Sequence, residues 1–161
     1  MKNALISVSD KTNIEILSDF LLKNDYNIYC SSNTLKYIQN KLNFYGNNLK
    51  SISEITDFNE LIGGRVKTLH PKIYAGILTD RDNEDHMKDC NDLILFDLIV
   101  VNLYPFEKVL EENPSEDILL ENIDIGGHTL LRAASKNHKY ISILSSPEQY
   151  QAFMDKKISN I

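Results

Sequence analysis

Two apolar runs, Ala4-Leu-Ile-Ser-Val8 and Leu98-Ile-Val-Val101, constrain this chain more than any other feature. Each is short, almost continuously apolar and bounded by polar turn residues. A strand with one wet face alternates in character, whereas an unbroken run has both faces buried, as strands of parallel sheets do. Between such runs lie amphipathic stretches of helical period, and that alternation marks an α/β domain. The 161 residues are one domain's worth of chain, and 42% hydrophobic with 25% charged residues suffices for a real core.

Ala4–Val8 reads as the first strand, followed by the turn Ser9-Asp-Lys-Thr12. Thr12-x-x-Glu15 has the form of a capping box opening a helix to about Asn24, with Ile14, Leu17 and Leu21 on its core face. Tyr26–Cys30 reads as a second strand, Thr34–Leu42 as a second helix and Leu49–Ile55 as a third strand. Residues 56–80 read as a structured loop with a short extended piece at Ile73–Leu78, and Asn83–Asp89 as a short helix. Leu98–Val101 ends on the polar Asn102; Ser115–Asn122 and Gly127–Lys136 read as helices, and Ile141–Leu144 as the last strand. Ser146 and Pro147 have the N-cap and first-turn chemistry of a final helix.

Right-handed crossovers put the carboxyl ends of parallel strands on one edge, where ligands bind. The loops Ser9–Thr12, Ser31–Thr34 and Asn102–Phe106 should therefore share a rim. With 17 Lys+Arg against 23 Asp+Glu the net charge is −6, so the chain lacks the basic surplus of a general nucleic-acid binder. A polyanionic ligand must then be held by a local basic cluster. The apolar run after Met1-Lys2-Asn3 is too short for a signal peptide, and Leu93–Leu103, broken by Asp97, is far short of the about 20 residues that span a bilayer. Cys30 and Cys90 form no CxxC pair, which points to a reducing compartment, the cytoplasm, and to no metal site.

The chain has six glycines and three arginines, yet five of those glycines and two of the arginines fall within residues 63–76 and 124–138. Gly64-Arg-Val-Lys-Thr-Leu-His-Pro71 puts Arg65, Lys67 and His70 within six residues, with Thr68 and without an acid. A guanidinium fork with added donors is what phosphate recognition requires. Ser9–Thr12 and Ser31-Ser-Asn-Thr34 offer hydroxyls and helix starts; either can bind an anion or merely cap its helix. Tyr104, in Asn102-Leu-Tyr-Pro-Phe106, can present a phenol to a ligand or pack with a wet hydroxyl. Asp124 stands before Gly126-Gly127, where a helix start can approach a developing oxyanion, and Lys136 closes the same helix. His86, His128 and His138 have no metal-ligand spacing.

Five segments resemble the cyclohydrolase half of the bifunctional purine-biosynthesis family that combines AICAR transformylase with IMP cyclohydrolase. They are Ile6-Ser-Val-Ser-Asp-Lys-Thr12, Gly64-Arg-Val-Lys-Thr-Leu-His-Pro-Lys72, Val101-Asn-Leu-Tyr-Pro-Phe106, Glu121-Asn-Ile-Asp-Ile-Gly-Gly127 and Leu131-Arg-Ala-Ala-Ser-Lys-Asn-His138. The resemblance implies a three-layer, methylglyoxal-synthase-like α/β fold with a mainly parallel sheet. It implies dehydrative closure of formyl-AICAR to inosine monophosphate (IMP), the last step of de novo purine biosynthesis, without cofactor or metal. It also implies a small nucleotide substrate, no nucleic acid, no membrane, and leaves a homodimer open. Carried over residue by residue, Lys136 is the proton donor/acceptor, and Lys67, Tyr104 and Asp124 activate the amide and shuttle protons. Ser9, Asp10, Lys11, Ser31, Thr34, Arg65 and Thr68 hold the nucleotide and its phosphate, while Asn102 and the backbone at Ile125 and Gly126 meet the base or the oxyanion.

Three departures stand out. Ser32 and Asn33 replace two glycines of the family's second rim loop. If that loop needs positive φ, serine costs roughly 1–2 kcal/mol there. Restoring glycine at both positions is then expected to tighten IMP binding by about fivefold to thirtyfold. His128 stands where many relatives have proline, and the chain stops at Ile161, so residues 1–161 are expected to be a single cyclohydrolase-like domain without the transformylase. The competing expectations are a non-catalytic nucleotide- or phosphate-binding module, a fragment of the longer enzyme, and a methylglyoxal synthase.

Overall fold

A computed structural model describes residues 1–58, 62 and 66–158. β1 (Lys2–Val8) is flanked by β2 (Tyr26–Cys30) and β4 (Leu98–Asn102), with β3 (Leu49–Ser51) and β5 (Ser142–Leu144) outside them. Among the described residues the sheet runs β3-β2-β1-β4-β5, and every pairing is parallel. The register pairs Ala4 with Ile28 and Leu98, and Val8 with Asn102. Strand order reverses between β1 and β4, so the crossovers leave in opposite directions and open a crevice at those two carboxyl ends.

The unbroken apolar character has the expected physical cause. Ala4, Ile6, Val8, Leu98 and Val100 enter one core with α1 (Ile14–Lys23), α2 (Ser32–Leu42) and α9 (Gln149–Ile158). Leu5, Ile99 and Val101 point the other way, into a second core with α3 (Ser53–Thr56), α4 (Pro71–Leu78) and α8 (Gly126–Lys136). Ile14, Leu17 and Leu21 are fully buried on α1, as their spacing predicts. Burying each such side chain contributes about 1.5–3 kcal/mol. The result is the expected three-layer α/β fold. Among the described residues no helix is long and apolar enough to cross a membrane.

Several local expectations are corrected. The capping box does not form: Thr12 donates both its N–H (2.9 Å) and its hydroxyl (2.7 Å) to Asp10 Oδ1, and Asn13, at φ 58°, occupies the N-cap position. The third strand stops at Ser51, because Glu54 accepts from Ser51 N at 3.1 Å and the chain turns into α3. Ile73–Leu78 is helical and not extended. Pro71 supplies a fixed φ at the first turn, His70 Nδ1 accepts from Lys72 N at 3.2 Å, and Ile73, Gly76 and Ile77 form one buried face. The final helix begins at Gln149, whose Oε1 accepts from Ser145 N and Ser146 N, leaving Pro147 in the turn before it.

α2 begins at Ser32, and neither Ser32 nor Asn33 is among the residues at positive φ. The expectation of strain in that loop is therefore overturned: Ser31 caps the helix with extended backbone, and the next two residues are its first turn. α5 (Glu84–Asp89) is capped by Asn83, which accepts from Asp85 N and His86 N. α6 (Phe106–Glu111) and α7 (Glu116–Glu121) bury no residue, and Leu103, Tyr104, Leu110, Leu120, Ile123 and Ile125 are exposed along this segment.

Candidate active site

The crevice at the ends of β1 and β4 is a cleft of about 650 Å³. Its floor is Ser7, Val8, Ser9 and Asn102, and the first turns of α2 and α8 face it from either side of the sheet. Ser9, Lys11, Ser31, Thr34, Lys67, Thr68, Asn102, Tyr104, Asp124, Ile125 and Gly126 all line it. Segments more than a hundred residues apart in sequence thus meet in one place.

Each group is held in a specific way. Asn102 uses its side chain to fix the first rim loop. Its Oδ1 accepts from Ser9 N (2.6 Å) and Asp10 N (2.8 Å), and its Nδ2 donates to Asp10 O (2.7 Å). Both acceptor positions of that amide oxygen are consumed, so the oxygen is committed to the loop it shapes. Asp10 is exposed, and its hydrogen bonds from Thr12 hold its carboxyl below the usual range. Thr34 is likewise a staple: fully buried, it donates to Val8 O (3.3 Å) and accepts from Val8 N and from Ser31.

Lys11 Nζ donates to the carbonyls of Val8 and Ser9, each at 3.3 Å. Burial lowers its pKa, Asp10 opposes that shift, and the positive charge of Lys67 adds to it. Two cations sharing a part-buried cleft repel, and an anion between them relieves both the repulsion and the desolvation.

At the other wall, Asp124 Oδ1 accepts from Gly127 N at 2.6 Å and so caps the first turn of α8. Among the described residues no hydrogen bond takes up the N–H groups of Ile125 or Gly126. The two glycines are needed for close approach. A Cβ on Gly126 would stand 2.8 Å from Thr68 Oγ1, and one on Gly127 would stand 2.6 Å from Asp124 Oδ2. Tyr104 is 45% exposed at the mouth of the cleft, so its phenol is reachable by a ligand.

Lys136 is not brought to this cleft. It ends α8, ten residues beyond the Gly126 that lines the cleft, which is about 15 Å along the helix axis. The helix runs antiparallel to the strands, so its start lies on the carboxyl rim and its end points away. Next to Lys136, Asn137 Nδ2 donates to Ile77 O and Thr79 O at the far end of α4. Asp10 does not line the cleft either; its carboxylate closes the first rim loop by accepting from Thr12. Arg65, with Gly63 and Gly64, lies outside the described residues.

The remaining candidates have structural duties. His70 caps α4, His128 Nδ1 lies 3.0 Å from Asp124 O, and His138 is exposed. Cys30 is buried, and burial pushes its thiol pKa up, away from reactivity. Cys90 Sγ lies 3.0 Å from Thr79 Oγ1. Among the described residues no group of three or more His, Cys, Asp or Glu side chains is placed to hold a metal. Sequence reasoning missed one wall: Leu120 and Ile123 give the cleft an apolar side. The available signal was a stretch of apolar residues between acids with no complementary buried face.

No family model matches the chain. It is 46% identical over 157 residues to the bifunctional purine biosynthesis protein PurH of Prochlorococcus marinus (strain MIT 9215), covering 95% of this chain and 29% of that protein. The PurH of Staphylococcus saprophyticus is 43% identical over 159 residues, with 97% of this chain and 32% of that protein covered. The PurH of Clostridium perfringens (strain SM101 / Type A) is 47% identical over 159 residues, with 96% and 30% covered. The chain thus spans 29–32% of the length of these relatives. Among solved structures, that of ForH superposes with a TM-score of 0.82 at 27% identity, covering 96% of this chain and 77% of that one.

Proposed function

We propose that this chain, 43–47% identical to the bifunctional purine biosynthesis proteins PurH over about 30% of their length, is their IMP cyclohydrolase portion, closing the ring of formyl-AICAR to IMP with loss of water. The observation that carries this reading is a single cleft at the β1/β4 switch point lined by Lys11, Lys67, Tyr104, Asp124 and the start of α8.

The chemistry fits that set. A carboxamide nitrogen is a poor nucleophile, and it must attack a formamide carbon on the same molecule. Holding the two ends in contact can be worth about 7–11 kcal/mol of the barrier. The nucleotide's phosphate sits at the Ser9, Lys11 and Ser31 end, where the two lysines favour an anion. Its base then extends toward α8. As the nitrogen attacks, negative charge gathers on the formamide oxygen, and the amides of Ile125 and Gly126 stand at the positive end of a three-turn helix to receive it. Asp124 accepts a proton from the attacking nitrogen, and Tyr104 or Lys67 returns one to the departing hydroxyl. Thr34, Asn102 and Asp10 shape the phosphate loop. The geometry gives no support to proton transfer by Lys136 within one chain.

Absorbance at the wavelength of IMP formation, with formyl-AICAR as substrate, tests the reading. The parent should turn over, and Lys67→Met should lose at least about a hundredfold in kcat, the size of a lost oxyanion or proton-transfer contact. A parent that binds IMP without turnover is instead a nucleotide-binding module, and release of methylglyoxal from dihydroxyacetone phosphate would reassign the substrate.

A further inference from the structure

Outside the cleft, a hydrogen-bonded chain leads into it from Tyr74 on α4. Tyr74, half-buried on α4, has its hydroxyl 2.7 Å from Thr129 Oγ1 on α8. Thr129 Oγ1 in turn lies 2.8 Å from Gly126 O and 3.2 Å from Ile125 O. Thr129 has one hydroxyl proton, and the shorter contact directs it to Gly126 O. Tyr74 is then the donor to Thr129. The carbonyl of Gly126 belongs to the same peptide group as the N–H of Gly127, which is bonded to Asp124 Oδ1 at 2.6 Å. Three hydrogen bonds therefore join four groups from α4 to the cleft: phenol, hydroxyl, peptide group and carboxylate.

We infer that Tyr74 is a positioning residue for the Asp124 carboxylate, acting through Thr129 and the Gly126–Gly127 peptide. The inference rests on the reading above that Asp124 takes part in ring closure. A threonine bonded to a carbonyl of its own helix is common and by itself carries no function. Here the hydroxyl is also pinned from a second helix, so the peptide plane between the two glycines has a fixed orientation. That matters because glycines leave the backbone freest to rotate. Successive hydrogen bonds also polarise one another, so donation into the Gly126 carbonyl strengthens donation from the Gly127 amide to Asp124. Tyr74 is itself suited to the task. Burial raises its pKa above the ordinary phenol value, and it stays a donor at neutral pH.

The test compares Tyr74→Phe, Thr129→Val, Thr129→Ser and the double variant Tyr74→Phe/Thr129→Val. Formyl-AICAR kinetics are read alongside hydrogen exchange of the Gly127 amide by nuclear magnetic resonance. Tyr74→Phe should lower kcat by roughly three- to tenfold, as expected for one lost hydrogen bond, with KM within about twofold. The Gly127 amide should exchange roughly threefold faster or more. Thr129→Val should match it, the double variant should be no worse than either single change, and Thr129→Ser should return both readouts to the parent. Unchanged exchange at Gly127 in Tyr74→Phe overturns the inference, as does a kcat loss that Thr129→Ser fails to rescue. If the parent itself does not turn over formyl-AICAR, the cyclohydrolase reading fails, and the exchange measurements alone decide the link from Tyr74 to Asp124.

Discussion

Replacing both Ser32 and Asn33 by glycine is expected to weaken the protein and to leave nucleotide binding no tighter. With Ser31 as the N-cap at φ −63° and ψ 151°, Ser32 and Asn33 are the first two helical residues of α2. Neither has positive φ, so glycine has no strain to relieve. What remains is propensity: glycine lies about 0.3–0.5 kcal/mol below serine or asparagine in a helix, so the pair costs about 0.6–1 kcal/mol. For a domain of this size that lowers Tm by roughly 1–4 °C. The helix start carries Thr34, whose hydroxyl staples it to Val8 at the cleft floor, and Asn33 is part of the cleft wall. A frayed first turn should therefore weaken IMP binding by up to about fivefold. Thermal unfolding and calorimetric titration of the parent and the double variant check both numbers. A raised Tm, or IMP binding tightened more than about fivefold, would show that the nucleotide-bound loop adopts positive φ after all, and would refute the helical reading of these two residues.

Other expectations follow from single contacts. Gly76→Ala should cost about 3 kcal/mol or more in urea unfolding, because the added Cβ would stand 2.1 Å from the backbone oxygen of Ile94 and 3.2 Å from the Phe96 ring. Asp124→Asn should keep the cap on Gly127 and hold stability within about 0.5 kcal/mol while abolishing turnover, whereas Asp124→Ala should lose turnover and about 1 kcal/mol together. Asn102→Ala removes three hydrogen bonds that span more than ninety residues of sequence. It should destabilise by about 2–3 kcal/mol and loosen IMP binding through the Ser9–Asp10 backbone. Thr12→Val should make stability less pH-dependent in acid. The carboxyl of Asp10 is depressed in the folded state, so its contribution is present above the unfolded value and lost as pH falls through the folded one. The parent's Tm advantage over Thr12→Val should then be full at pH 5–7, begin to fall near the ordinary carboxylate value of about 4, and be lost only below the depressed folded value of Asp10.

What sequence reasoning reached, it reached where one local signal dominated. β1, β4 and the buried face of α1 were legible because unbroken apolar runs and an i, i+3, i+7 spacing have few physical solutions. The rim was legible for the same reason, since parallel strands leave their carboxyl ends together. α4 was not: two turns holding Ile73, Tyr74 and Ile77 have strand-like propensities, and burial of Ile73 and Ile77 in the core shared with β4 and α8 overrides them. Thr34 and Asn102 are given as ligand contacts by the family resemblance, and the rim position of both is consistent with that. Their partners, twenty-six and about ninety residues away, are set by strand register and invisible in the chain. The role of Lys136 comes from the family resemblance, which carries no distances, and a straight helix turns the ten residues from Gly126 into a separation of about 15 Å. Motif proximity and spatial proximity part company along a helix.

In the proposed function the nucleotide lies in the β1/β4 cleft with its reacting carbonyl at the start of α8. Titration of the isotopically labelled protein with IMP, followed by amide chemical shifts, tests this most directly. Saturable shifts are expected at Ser9–Lys11, at Tyr104 and, largest of all, at Ile125 and Gly126, with Lys136 and Asn137 unmoved. Saturable shifts centred on Lys136 and the far end of α8, with Ile125 and Gly126 unchanged, would contradict this placement.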